Sequence, residues 1–141
     1  MRTLDRVFGC LMIVGALGHA MGSYAAYKTQ AMALLWALSA SFAELLLAAL
    51  NLLRAGRPGD GKLAAVTLAG NLAQMVLVYT FGRLIGNVFD FRVLIQGGVT
   101  LVLIIMSVRT LSGISHERKA YATTSASSVS EQVRESPAQG S

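Results

Sequence analysis

Ser41-Phe-Ala-Glu44-Leu-Leu-Leu-Ala48 is the stretch that decides the fold of this chain, because it places a carboxylate inside a long apolar run. Glu44 is the only charged residue between Lys28 and Arg54, and 25 residues separate those two. At about 1.5 Å per residue, a helix of that length crosses the roughly 30 Å hydrocarbon core of a bilayer. An acid at that depth is costly, and such groups usually face the interior of a helix bundle. The stretch therefore predicts a membrane helix that turns Glu44 toward other helices.

The composition of the whole chain also indicates a membrane protein. Its 141 residues are 54% hydrophobic and only 13% charged, whereas soluble domains carry about 25% charged residues. The net charge of +5 does not indicate nucleic acid, because the basic residues flank apolar runs instead of forming one solvated stripe. The single cysteine, Cys10, excludes an intrachain disulfide. We expect the lipid bilayer as a partner and no nucleic acid.

Four apolar runs predict an all-α membrane protein with four transmembrane helices in an antiparallel bundle. The expected spans cover about residues 7–27, 32–53, 63–83 and 92–111. Together they form a transmembrane domain over residues 1–111, and the clearest break is the Gly- and Pro-containing loop 54–62. Residues 112–141 are polar and rich in serine, so we expect a disordered tail there.

The first span has a second interpretation as a cleaved signal peptide. Arg2 and Arg6 precede the apolar segment 7–17, and residues 23–25 are similar to a cleavage site. The uncharged stretch continues to Tyr27, well beyond the usual length of the apolar segment of a signal peptide, which favours a retained helix.

The basic residues predict the orientation of the four spans. Nine Lys and Arg residues lie on the side that holds both termini and the 54–62 loop, and only Lys28, Arg83 and Arg92 lie on the other side. Lys and Arg are enriched in cytoplasmic loops. We therefore expect a bacterial-type plasma or inner membrane protein with both termini, and hence the tail, in the cytoplasm.

Each expected span carries a face of small and polar residues, as in helices that pack together while lipid covers the apolar remainder. Ser41 precedes Glu44 by three positions and so shares its helix face. Counting inward from the charged flanks places His19, Glu44, Asn71 and Gln74 within about 6 Å of one level near the midplane. We expect these five residues to form a polar cluster that binds a proton or ligand, or that serves as hydrogen-bond packing.

Glycines recur beside His19 in the first span, at Gly15, Gly18 and Gly22. The Gly18-x-x-x-Gly22 spacing permits close approach of a second helix. Packing inside the bundle and contact with a second copy of the chain both fit this pattern, and the two interpretations use different faces of the helix.

Three classes of function are compatible with these features. The first is a non-enzymatic bundle that self-associates or serves as a subunit of a membrane complex, with the polar cluster as packing. The second is a proton-coupled small-molecule carrier that uses Glu44, with His19 as its partner. A dry, hydrogen-bonded cluster would favour the first class, and a cavity that reaches Glu44 would favour the second.

The third class is an intramembrane enzyme or haem protein. The sequence contains no HExxH, CxxC or GxSxG pattern. Of its two histidines, only His19 lies within a predicted span, because His116 follows the fourth. We therefore expect no catalytic residue, no metal site and no cofactor.

In length and number of spans the chain resembles the small multidrug-resistance transporters, which work as dimers around a membrane glutamate. The essential acid of that family lies in the first helix, whereas this chain has His19 in its first span and Glu44 in its second. The resemblance concerns architecture alone, and it implies no residue roles.

Overall fold

The computed structural model describes the backbone of residues 2–135 and the side chains of residues 3–116. Within that part the fold consists of four α-helices without strands: α1 Arg2–Tyr27, α2 Ala31–Gly56, α3 Gly61–Leu84 and α4 Phe91–Glu135. Each contains a segment long and apolar enough to cross a membrane, the last being Phe91–His116. The predicted all-α fold with four transmembrane helices is confirmed, and the chain is a small integral membrane protein.

Aspartates begin the last two helices. Asp60 caps α3, since its Oδ1 accepts a hydrogen bond from the backbone N–H of Leu63 at 3.0 Å. Asp90 plays the same part at α4, where its Oδ1 accepts from the backbone N–H of Arg92 at 2.9 Å. Such carboxylates satisfy amides that have no partner within the first turn. Between these helices Gly86 adopts a φ of 73°, a conformation that glycine reaches without strain.

The four helices pack in a ring. The two most extensive contacts are α1 with α2 and α3 with α4, and the ring closes through α1 with α4 and α2 with α3. The hydrophobic core is a thin central layer made of Met12, Leu47, Ala48, Val99 and Leu103. The large apolar side chains instead cover the outside, and this distribution is the one that a lipid-covered bundle requires.

Helix α4 differs from the expected fourth span at its C-terminal end. It extends to Glu135, past the predicted domain boundary at residue 111. Neither glycine nor proline occurs between Gly113 and Pro137, so the sequence contains no strong helix breaker there. Side chains after His116, and the backbone of residues 136–141, lie outside the described residues, so the predicted disorder of the tail stays a prediction.

Candidate functional site

The bundle interior contains two polar groups, one on each side of the hydrophobic layer. Both include residues of α2, whose buried positions Ser41, Glu44, Ala48, Asn51 and Arg54 follow one another at three- and four-residue spacing. One group is centred on Arg54 and the other on Glu44. A helix rises about 1.5 Å per residue, so the two lie roughly 15 Å apart along α2.

Arg54 forms a buried ion pair with Asp5 of α1. Its Nη1 donates a hydrogen bond to Asp5 Oδ2 at 3.2 Å, and its Nη2 donates to Oδ1 of the same carboxylate. Nη1 also donates to Thr110 Oγ1 of α4 at 3.2 Å, and Nη2 donates to Asn51 Oδ1 at 3.4 Å. Arg54 is only 1% exposed. One guanidinium therefore connects α1, α2 and α4.

Two asparagines extend this group to α3. Asn51 Nδ2 donates to Asn71 Oδ1 at 3.0 Å, and Asn71 Nδ2 donates back to Asn51 Oδ1 at 3.1 Å. Asn71 Nδ2 also donates to Ser107 Oγ of α4 at 3.4 Å. Both asparagines are fully buried. We call the connected set the Arg54 network, and its members are Asp5, Asn51, Arg54, Asn71, Ser107 and Thr110.

The second group is the Glu44 pair, formed by Glu44 of α2 and Gln96 of α4. Gln96 Nε2 donates a hydrogen bond to Glu44 Oε1, and Glu44 is 6% exposed. The pair lies against Gly15 of α1, where an added Cβ would stand 2.7 Å from Gln96 Oε1 and 3.4 Å from Glu44 Oε1. Glycine at position 15 therefore provides the space that the pair occupies.

The residues of the predicted midplane cluster have different surroundings in the structure. Glu44 bonds to Gln96, whereas Asn71 belongs to the Arg54 network. His19 is exposed on the outside of α1, and Gln74 is half-buried on α3. Ser41 is buried, but its hydroxyl donates to Ala37 O of its own helix at 3.2 Å. Residue counting fixes the depth of a side chain, while the angle around each helix decides which side chains meet.

Asp5 and Arg54 were not among the residues that the sequence indicated for the site. Charged residues near the ends of apolar runs are ordinarily placed in water, and both stand at such ends. A usable signal does exist for Arg54, because it follows Asn51 by three positions and so continues the Glu44 face.

We define the outer face of α1 as Gly18, His19 and Gly22, which are all exposed. An added Cβ at Gly18 or Gly22 would meet no atom within 4 Å. His19 between them is exposed as well. Ionisable residues within membrane spans almost always face protein or a water-filled cavity. His19 is thus an exposed imidazole within a candidate membrane span.

A depression of about 290 Å³ opens at the end of the bundle that holds the Arg54 network. Its lining comes from α1, α2, the α2–α3 loop and α4: Asp5, Arg54, Ala55, Pro58, Met106, Arg109 and Thr110. Arg54 Nε is the one buried side-chain nitrogen or oxygen without a hydrogen-bond partner in the described part of the chain. We call this feature the Arg109 depression, and Glu44 does not line it.

Comparisons of the chain with protein-family models, with curated proteins and with solved structures gave no match. Within the described residues, no group of three or more His, Cys, Asp or Glu side chains is arranged to hold a metal ion. The functional groups that the described residues bring together are a carboxylate–carboxamide pair and a buried ion pair with its amide network; an exposed imidazole lies apart from both.

Proposed function

We propose that this protein is a non-enzymatic membrane bundle that assembles with a second copy of itself through the outer face of α1. The observation that carries the proposal is the exposed His19, which lies in a membrane span between two exposed glycines where an added Cβ would meet no atom within 4 Å. A second helix placed there would cover the imidazole and remove its polar surface from lipid.

The interior of the bundle supports a structural role for the monomer. The Arg54 network connects all four helices through side-chain hydrogen bonds. Interhelical hydrogen bonds in membranes contribute about 0.6 kcal/mol on average, and their directionality fixes which faces meet. The network therefore holds the helices in one arrangement and leaves the outer face of α1 as the surface for association.

A second copy of the chain suits this surface because a two-fold axis can pair the surface with itself. Two copies inserted in the same orientation present parallel α1 helices, so a two-fold axis brings equivalent residues together at equal depth. Gly18 would face Gly18 and Gly22 would face Gly22, which lets the two backbones approach closely. With the two α1 helices in close contact, the N–H of the His19 imidazole would donate to a backbone or side-chain acceptor of the opposite helix.

The test is dimerisation in lipid bilayers at increasing lipid dilution, measured by single-molecule photobleaching. Overpacking a close contact costs about 1–3 kcal/mol, so Gly18→Leu or Gly22→Leu should weaken association by about 5- to 150-fold. Gly98→Leu on α4 is the matched control, because Gly98 is also exposed and an added Cβ there also meets nothing. A chain that stays monomeric at every dilution, or equal losses at Gly18 and Gly98, would contradict the proposal.

One observation favours a second candidate function, a proton-coupled carrier. Glu44 is a buried carboxylate within a membrane span, at a position where an apolar residue would be less costly. The hydrogen bond that Glu44 accepts from Gln96 instead favours the first candidate, because it is the kind of contact expected for interior packing.

A further inference from the structure

The lining of the Arg109 depression carries a net positive charge. It contains two arginines, Arg54 and Arg109, and one acid, Asp5. Both oxygens of Asp5 accept hydrogen bonds from Arg54, so that acid is compensated within the network. Arg109 is exposed and makes no ion pair with any side chain of residues 3–116. The uncompensated charge at the depression is therefore the guanidinium of Arg109.

The depression also contains a buried hydrogen-bond donor, the Nε–H of Arg54. Arg54 lines the depression with its side chain fully buried, yet its Nε–H has no acceptor among the described residues. A buried N–H without a partner is unfavourable, and native proteins rarely leave one. The depression thus combines the Arg109 guanidinium, which makes no ion pair with residues 3–116, with the unpaired Nε–H of Arg54. Both groups suit an anionic oxygen ligand.

The rest of the lining is apolar, with Ala55, Pro58 and Met106 as its main members. Arg54 and Arg109 lie toward the ends of their membrane segments, where the hydrocarbon meets the headgroups. This is also the end that carries nine of the twelve basic residues and is expected to face the cytoplasm. The depression therefore has an apolar side and a cationic side at the depth of the headgroups. A phospholipid likewise has its phosphate next to the start of its acyl chains.

We propose that the Arg109 depression binds the headgroup of an anionic phospholipid. The Arg109 guanidinium donates to phosphate oxygens, while the glycerol and the start of an acyl chain lie against Met106. Basic pockets between transmembrane helices on the cytoplasmic side are suited to such headgroups. This proposal does not depend on the outer face of α1, because its residues lie elsewhere on the bundle.

The experiment measures phospholipid retention by the detergent-solubilised full-length protein using native mass spectrometry, with phosphatidylglycerol and phosphatidylcholine offered in equal amounts. We expect preferential retention of phosphatidylglycerol. One basic contact near the membrane surface is worth about a fivefold change in affinity, so at sub-saturating lipid Arg109→Gln should lower retention by about that factor. Arg109 is exposed and outside the Arg54 network, so the variant should fold normally, and the unfolding midpoint checks this.

Arg57→Gln is the matched control, because Arg57 is an exposed arginine at the same end of the bundle that does not line the depression. It should retain phosphatidylglycerol as the wild type does. Equal losses in the two variants would mean a diffuse attraction to surface charge and would overturn the proposal. So would equal retention of both lipids. Displacement of the lipid by an equal concentration of inorganic phosphate would assign the depression to a soluble anion instead.

Discussion

Asp5 and Arg54 form an ion pair that is buried between α1 and α2, with both carboxylate oxygens accepting hydrogen bonds from one guanidinium. Asn51 and Thr110 accept further hydrogen bonds from the same group. A slip of α1 against α2 by one helical turn, about 5.4 Å, would separate the two charges and break both hydrogen bonds. The pair therefore defines the register of the two helices.

Asp5→Leu should destabilise the bundle strongly, because it leaves the Arg54 guanidinium buried without its counter-ion. Breaking a buried ion pair from one side costs roughly 3–5 kcal/mol, whereas replacing both partners with apolar residues is often neutral. The double variant Asp5→Leu with Arg54→Met should thus recover most of the loss. Unfolding in mixed detergent micelles measures all three free energies. A double variant no more stable than Asp5→Leu alone would contradict a role for the ion pair in stability.

The reciprocal hydrogen bonds between Asn51 and Asn71 predict a measurable coupling between α2 and α3. A double-mutant cycle with Asn51→Ala and Asn71→Ala should give about 0.6 kcal/mol or more, up to about 1.7 kcal/mol. The control cycle pairs Asn71→Ala with Ser39→Ala, since Ser39 is exposed and donates to Leu35 O of its own helix. Coupling near zero in both cycles would mean that the carboxamides do not interact as the structure shows.

The positions of the four helices were predictable from the sequence, whereas the partners of the polar residues were not. Apolar runs bounded by basic residues indicate the spans, because lipid demands long apolar segments whatever the packing. Glu44 was expected inside for the same reason, since a carboxylate avoids hydrocarbon. Its partner Gln96 could not be found in this way, because contact depends on the rotation and tilt of each helix.

The ion pair of Asp5 and Arg54 shows a second limit of sequence reasoning. Each charge alone is best placed in water, and Arg54 bounds the apolar run that contains Glu44. They become interior residues only as a pair that compensates both charges, and 49 positions separate them in the sequence. The α1 glycines illustrate the same point, because the sequence could not tell that Gly15 faces the Glu44 pair while Gly18 faces outward.

Asp90 predicts a pH dependence of stability. Hydrogen bonds from the Arg92 side chain, and then from the Arg92 backbone N–H, lower the pKa of this carboxyl below its ordinary value. Stabilisation by a group with a depressed folded-state pKa is present above the unfolded-state pKa, which is about 3.9 for aspartate. It is lost as the pH falls through the lower folded-state value. The difference in unfolding free energy between wild type and Asp90→Asn should therefore shrink as the pH drops below about 4.

The control is the pH dependence of the unfolding free energy of Asp60→Asn. Asp60 caps α3 but makes no ion pair in the described part of the chain, so this variant shows the effect of a cap without an ion pair. If the difference in unfolding free energy between wild type and Asp90→Asn were the same at pH 7 and below the folded-state pKa of Asp90, the ionised carboxylate would not be the source of the stabilisation. An advantage that grew on acidification would reverse the sign of the prediction.

The four-span topology predicts that the two loops flanking α2 lie on opposite sides of the membrane, and the distribution of basic residues predicts which loop is cytoplasmic. Single cysteines at Thr29 and Gly59, in a Cys10→Ala background, should react with an impermeant maleimide from opposite faces. Thr29 is expected outside and Gly59 in the cytoplasm. Both positions are exposed, and neither is a helix cap. Labelling of both from the same side would rule out the four-span topology.

Glu44 separates the assembly protein from the carrier. Glu44→Gln keeps the shape of the side chain and an acceptor oxygen for Gln96 Nε2, so the unfolding free energy should change by less than about 1 kcal/mol. Glu44→Leu leaves the carboxamide of Gln96 without that acceptor and should cost about 1–3 kcal/mol. Adding Gln96→Leu to Glu44→Leu removes the stranded group and should restore part of the loss.

Proton flux into proteoliposomes, followed with a pH-sensitive dye, decides between the two functions, because glutamine cannot exchange a proton. For an assembly protein, wild type and Glu44→Gln should give the same flux as protein-free liposomes and the same dimer fraction. For a carrier, wild-type flux should exceed that background, and Glu44→Gln should abolish the excess while the protein stays folded. If Gln and Leu variants both matched the wild type in stability, dimerisation and flux, Glu44 would be neither packing nor proton site. We expect the first outcome, because Glu44 is already bonded to Gln96 inside a bundle that the Arg54 network holds together.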